Sequence, residues 1–387
     1  MKATLYSALA AAMLGCSVVQ AATKINALNY NPKREDGTCP NVDQVKGDLE
    51  KLQDHTKRLR IYSAKDCNQG EPVLRAMENT DWKLTLGLWV GKGRDAFDAD
   101  KKELARLAKV FDFKKQVEAV VVGSEALYRK DCTQEELLKY IGEVRETLKS
   151  VGLEDLPVTA AETWPYYSPE LIDAVDFIFV HVFPFWEGKK IEDAQKTIYD
   201  HIYDLQKIAK KKKIVVGETG WPTNGGNYGD AVPNVKNLQT YLQDFVCRAN
   251  DEKLDYFWFS AIDEGWKPTT NASSVEAHWG LLDSKYKPKI SQEPWYDCKN
   301  YVPRSVKKDS KDEDKSSDSE ESSSISNGDK ASKKSGDKKG SAASDDEGSS
   351  KAESEGAGSN TFNLPSAHAL GGVGSMLLLG SLIAPLF

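Results

Sequence analysis

From residue 24 to about residue 300, short apolar runs alternate with longer stretches whose apolar positions recur every three or four residues. The short runs predict strands at Ile25–Tyr30, Arg58–Tyr62, Leu84–Val90, Val117–Gly123, Pro157–Thr163, Val175–Phe183, Lys213–Gly217 and Leu254–Ser260. The periodic stretches predict helices near 43–54, 71–79, 98–114, 133–150, 169–173, 191–210 and 232–249, with an irregular eighth after Ser260. Most of the strand runs are apolar instead of alternating, as expected when both faces of a parallel sheet are covered. Eight strand–helix units in about 280 residues describe an α/β fold, a (β/α)8 TIM barrel. A doubly wound open sheet would place a glycine-rich turn after its first strand. Here that strand runs into Leu28-Asn29-Tyr30-Asn31-Pro32.

The pattern stops at both ends of the chain. Residues 1–22 carry a positive charge at Lys2, an apolar run from Leu5 to Val19 and small residues at Ala21 and Ala22, the layout of a secretory signal peptide. Residues 304–359 are dominated by Lys, Asp, Glu, Ser, Gly and Ala, with Val306 and Ile325 the only sizeable apolar members. Such a segment buries too little to offset its ordering entropy and reads as a disordered stalk. Residues 360–387 end in an uncharged apolar tail from Leu370, preceded by a largely polar spacer and by small residues. That is the three-part signal for a glycolipid anchor, with Gly358, Ser359 and Asn360 as candidate attachment residues; a retained span is the rival reading. The globular part is therefore residues 23–303, expected at the cell surface and tied to a membrane only by the anchor.

The net charge of −7 is spread without a basic patch, which speaks against a nucleic-acid partner. Of six cysteines, Cys16 leaves with the signal. Cys39, Cys67, Cys132, Cys247 and Cys298 remain, an odd number. An oxidising compartment predicts two disulfides and one free thiol, or an intermolecular link, with the pairing open. Their spacing does not suit a metal, and no cofactor is expected. Asn271-Ala272-Ser273 is a glycosylation sequon in a predicted loop, making Asn271 the candidate acceptor.

Candidate chemistry sits at the strand ends. Glu125 follows the fourth predicted strand and Glu218 the seventh. In a closed parallel barrel both positions lie on the C-terminal rim and face one groove despite their distance in sequence. Two such carboxylates can break a glycosidic bond, one protonating the leaving oxygen and the other supporting the anomeric carbon. Tyr30, Arg60, Tyr62 and His181 are candidate donors around them. Trp164, Phe183, Trp221 and Trp258 are candidate platforms for sugar rings, with Trp89, Trp186 and Trp266 nearby in the pattern.

Val122-Gly123-Ser124-Glu125-Ala126-Leu127-Tyr128-Arg129 and Val216-Gly217-Glu218-Thr219-Gly220-Trp221-Pro222 closely resemble the signatures of glycoside hydrolase family 17. Phe259-Ser260-Ala261-Ile262-Asp263-Glu264-Gly265-Trp266-Lys267 and His278-Trp279-Gly280-Leu281 resemble its eighth-strand region, so the likeness spans roughly Lys24 to Lys299. The resemblance implies a retaining enzyme of β-1,3-glucan with Glu125 as acid/base and Glu218 as nucleophile. It also implies that Glu264 and Lys267 lie near the cleft. Many members carry Asn before the acid/base; this chain has Ser124, a donor of shorter reach. The expected activity is internal hydrolysis of cell-wall β-1,3-glucan by a monomer. Glucanosyl transfer is the first alternative and a non-catalytic glucan-binding barrel the second.

Overall fold

The computed structural model describes residues 24–267, 274–299 and 301. The stretches 1–22 and 304–387, with Gly358, Ser359 and Asn360, and the sequon residue Asn271 lie outside the described residues.

Eight parallel strands close into one barrel in chain order. They are β1 (Leu28–Asn29), β2 (Arg58–Ile61), β3 (Lys83–Leu88), β4 (Val117–Ser124), β5 (Val158–Thr163), β6 (Ile178–His181), β7 (Ile214–Thr219) and β8 (Asp255–Trp258). Closure is made by Leu28 of β1 against Trp258 of β8. Each predicted strand is present, and most are shorter than their apolar run, because ladder hydrogen bonds stop where the strands splay at the rim. The helices are α1 (Val42–Leu52), α2 (Gly70–Ala76), α3 (Asp95–Val110), α4 (Phe113–Gln116), α5 (Gln134–Ser150), α6 (Pro169–Ala174), α7 (Ile191–Ile208) and α8 (Val235–Glu252). The predicted 98–114 helix is broken at Phe111-Asp112. Asp112 leaves helical geometry to cap α4 through its side chain. No helix follows β8 among the described residues. The chain there runs in bends and bridges Ile262 to Leu282.

Local sequence explains the long helices. Thr133 and Glu136 form a reciprocal capping box at the start of α5. Its buried residues Leu137, Tyr140, Ile141, Val144 and Leu148 fall on one face. Asn41 and Gln44 do the same capping for α1.

The core has two layers. Ala27, Val121, Ala161, Phe179, Val215 and Phe257 fill the barrel interior. A larger layer separates the barrel from its helices. Along a strand, successive side chains point to opposite faces. On β8 this sends Phe257 inward, where its ring meets Phe179 edge-on at 5.2 Å, and Trp258 outward. Arg58 and Arg60 share the inner face of β2 but serve opposite ends. Arg58 ties Glu118 (3.0 Å) and Asp255 (2.7 Å) at the N-terminal end. Arg60 lies at the rim.

The disulfides are Cys39–Cys67 and Cys247–Cys298, with Cys132 free. This resolves the pairing that the spacing left open.

Candidate active site

The groove is organised around Arg60, which is 1% exposed. Its Nη1 donates to Glu218 Oε1 at 2.7 Å and approaches His181 Nε2 at 3.0 Å. Its Nη2 donates to Ser124 Oγ at 3.1 Å. One guanidinium thus joins the ends of β2, β4, β6 and β7. The aromatic rings of Tyr62 and Phe179 lie 4.6 Å and 5.0 Å from its centre. Burying this cation is offset by those hydrogen bonds and by Glu218.

His181 carries the network across the groove. Its Nδ1 lies 2.9 Å from Glu125 Oε1. Arg60 can only donate, so Nε2 accepts and the ring proton sits on Nδ1, donated to Glu125. Burial pushes the His181 pKa down to about 3, which keeps the ring neutral at ordinary pH. One oxygen from Glu125, one from Glu218 and an imidazole nitrogen lie within 4.8 Å of one another. Such a trio has the composition of a metal site. The guanidinium pressed against Glu218 and His181 already supplies the positive charge a metal would bring.

The two carboxylates differ in surroundings. Burial raises the pKa of Glu125, and the opposing pull of Arg129 and Arg60 is smaller. Glu218 has the direct guanidinium contact. Backbone geometry sets both. Gly123 has φ +76°, and Glu125 itself sits in the left-handed region at φ +57°. Its amide is held by Ala161 O at 2.7 Å. A β-carbon at Gly217 would approach Phe179 and His181 to within about 3 Å; only glycine lets β6 and β7 bring His181 beside Glu218.

A second ion pair stands further along the rim. Lys267 Nζ lies 2.6 Å from Glu264 Oε2 and 3.6 Å from Glu276. Burial raises the Glu264 pKa, while Lys267 is held protonated by Glu264 and Glu276 against the effect of its burial. The Tyr62 pKa is raised by burial first and then by Glu218, with Glu264 adding to it.

Of the residues predicted for the site, Glu125, Glu218, Arg60, Tyr62, Ser124 and His181 converge, and Glu264 and Lys267 adjoin them. Three do not. Tyr30 points outward from β1 and donates to Asp48 of α1 at 2.5 Å. Trp258 points outward from β8 and packs on Tyr241 and Phe245 of α8. Both are one strand position away from an inward residue, Asn29 and Phe257, so strand parity turns them from the groove. Trp221 is fully buried against Phe185 and Tyr241, and its Nε1 donates to Val232 O at 3.0 Å. Trp164 is half-buried and stacks on His201 of α7 at 4.3 Å, a packing role on the helix side. Phe183 is half-buried and meets Phe259 and Trp279 edge-on. Exposed aromatic surface is supplied instead by Trp186 and Tyr228, 5.3 Å apart, and by Tyr128.

Two contributors escaped the residue pattern. Asn29 Nδ2 donates to Gly217 O at 2.9 Å, bracing the turn before Glu218. Arg129 donates to Ser124 O and Val90 O and lies over the Trp89 ring. Arg129 stood inside the Glu125 motif; Asn29 had no signal beyond its place at a strand end.

A barrel with two facing carboxylates on its C-terminal rim defines a carbohydrate-active enzyme of the glycoside hydrolase kind. The model of the BtgE/BtgC glycoside hydrolase domain matches residues 27–280, and the chain belongs to this group of glycoside hydrolase family 17. It is 33% identical over 290 residues to a glucan 1,3-beta-glucosidase of Candida albicans, covering 70% of this chain and 92% of that protein. A glucan 1,3-beta-glucosidase of Arthroderma benhamiae is 35% identical over 286 residues, with 69% and 88% covered. Among solved structures, the family 17 beta-1,3-glucanosyltransferase of Rhizomucor miehei superposes with a TM-score of 0.63 at 31% identity. That match covers 70% of this chain and 97% of the other.

Proposed function

We propose that this protein is a retaining, endo-acting hydrolase of β-1,3-glucan in the cell wall, with Glu125 as acid/base and Glu218 as nucleophile. The observation that carries the reading is the approach of the two carboxylates: their nearest ligand oxygens lie within 4.8 Å. Retaining glycosidases hold the pair about 5–5.5 Å apart, whereas inverting ones leave room for a water at about 6.5–9.5 Å. The raised pKa of Glu125 suits the group that must arrive protonated, and the Arg60 contact suits the group that must arrive ionised. Glu125 protonates the leaving glycosidic oxygen as Glu218 attacks the anomeric carbon. Consumption of the Glu218 charge then lowers the proton affinity of Glu125, which serves as base for the incoming acceptor.

His181 holds the acid end of the network, and Arg60, bonded also to Ser124, the nucleophile end. Tyr62, Glu264 and Lys267 border the sugar. The signal, stalk and anchor of the sequence reading would place the enzyme at the cell surface.

Glucanosyl transfer shares the first half-reaction and differs only in the acceptor. The exposed Trp186–Tyr228 pair favours it by offering aromatic surface to an acceptor sugar, and the Rhizomucor relative is named as a transferase. Products from a reduced laminari-oligosaccharide decide: chains longer than the input mean transfer. Glu218→Gln is expected to abolish cleavage, which excludes a non-catalytic glucan-binding barrel; unchanged cleavage would overturn the assignment of Glu218. In Glu125→Ala, azide should restore turnover of an activated substrate and give the retained-configuration azide. A retained-configuration azide from Glu218→Ala, with an inverted azide from Glu125→Ala, would exchange the two roles.

A further inference from the structure

Glu162 is 1% exposed, and no ion pair holds it among the described residues. It is the penultimate residue of β5, beside the ladder contact that carries the acid: Ser124 pairs with Ala161, and Ala161 O accepts the Glu125 amide. From there its carboxylate reaches the turn just beyond Glu125. Oε1 accepts from the Leu127 amide at 2.9 Å, and Oε2 approaches the Tyr128 amide at 3.4 Å. These amides belong to the second and third residues after the left-handed Glu125. A non-glycine residue keeps that conformation only where its surroundings over-determine it.

We propose that Glu162 is a positioning residue for the acid/base, its buried carboxylate clamping the 127–128 amides so that the Glu125 carboxyl stays in line with the leaving oxygen. The proposal rests on the assignment of Glu125 as acid/base.

The groups facing Glu162 are Glu125, Arg129 and Cys132 from the segment after β4, and Tyr167 from the segment after β5. Burial, with the Glu125 charge adding to it, lifts the Glu162 pKa to about 7 against the pull of the two amides and Arg129.

Glu162→Gln removes the charge and leaves one acceptor oxygen for two amides. Expected is a fall in kcat on laminari-oligosaccharides of about tenfold, with KM changed less than about twofold. On a dinitrophenyl β-laminarioside, whose leaving group needs no proton, the first half-reaction should keep its rate within about twofold. Glu162→Asp keeps both acceptor oxygens at shorter reach and should recover part of the rate; it also serves should the glutamine variant not fold. An unchanged rate, or an equal loss on both substrates, overturns the proposal. Glu125→Ala run beside them isolates the underlying assignment. If its losses do not depend on the leaving group, the acid role itself fails, whatever Glu162 does.

Discussion

In Arg60→Met the apolar stem stays and the guanidinium goes. Glu218, whose side chain is 9% exposed, loses its 2.7 Å cation. His181 Nε2 and Ser124 Oγ lose their 3.0 Å and 3.1 Å partner. Removing one member of a buried ion pair costs about 3–5 kcal/mol, because the other charge stays buried. For a domain of this size, at about 2 °C per kcal/mol, melting should fall by roughly 6–10 °C. Catalysis should suffer more than stability. The group that fixes Glu218 against His181 and Ser124 is gone, and a displacement of about 1 Å in a reacting group costs on the order of 100-fold in rate. Arg60→Lys separates charge from geometry. A single ammonium can stay beside Glu218 but cannot reach Ser124 in the same fork, so about half of the stability and a tenfold rate loss are expected. Thermal melts by circular dichroism and reducing-end release from laminarin read both quantities. Should Arg60→Met melt within about 1 °C of the parent and keep its rate within about fivefold, the guanidinium does not organise the site and the reasoning is refuted.

Trp258→Ala should destabilise by about 3–5 kcal/mol, as for a large core side chain, while the folded enzyme keeps its KM for laminari-oligosaccharides; a large rise in KM would return Trp258 to the groove. Stability against pH has a worked sign. His181 is depressed from 6.5 to about 3, so the unfolded chain takes up a proton that the fold refuses, and its contribution is lost as pH falls from 6.5 to 3. Glu162, raised from 4.5 to about 7, acts oppositely and adds stability as pH falls from 7 to 4.5. Each interaction changes by about 1.4 kcal/mol per pH unit at full proton difference. The two should nearly cancel between pH 4.5 and 6.5, with a steep loss below. In His181→Asn the cancellation disappears, and melting temperature should rise from pH 6.5 to 4.5. Parallel curves for parent and variant would show that His181 is not held neutral.

Periodicity in the chain determined the eight strands, seven of the helical regions and the rim positions of Glu125 and Glu218, because burial on both faces of a parallel strand leaves a continuous apolar run. It could not determine which side of the sheet a rim residue faces. Asn29 and Tyr30 are consecutive, as are Phe257 and Trp258, and one step along a strand exchanges the barrel interior for the helix layer. Only the register assigned Tyr30 to Asp48 and Trp258 to α8. The same limit hid Glu162, whose partners are amides on a neighbouring strand's loop and leave no trace in spacing. Nor could the odd cysteine count choose Cys39–Cys67 and Cys247–Cys298, since pairing follows distance in space. The residue pattern specified which chemistry was available. Closure of the barrel specified which side chains meet, because the contacts that join Arg60, His181, Glu125 and Glu218 all cross between strands distant in the chain.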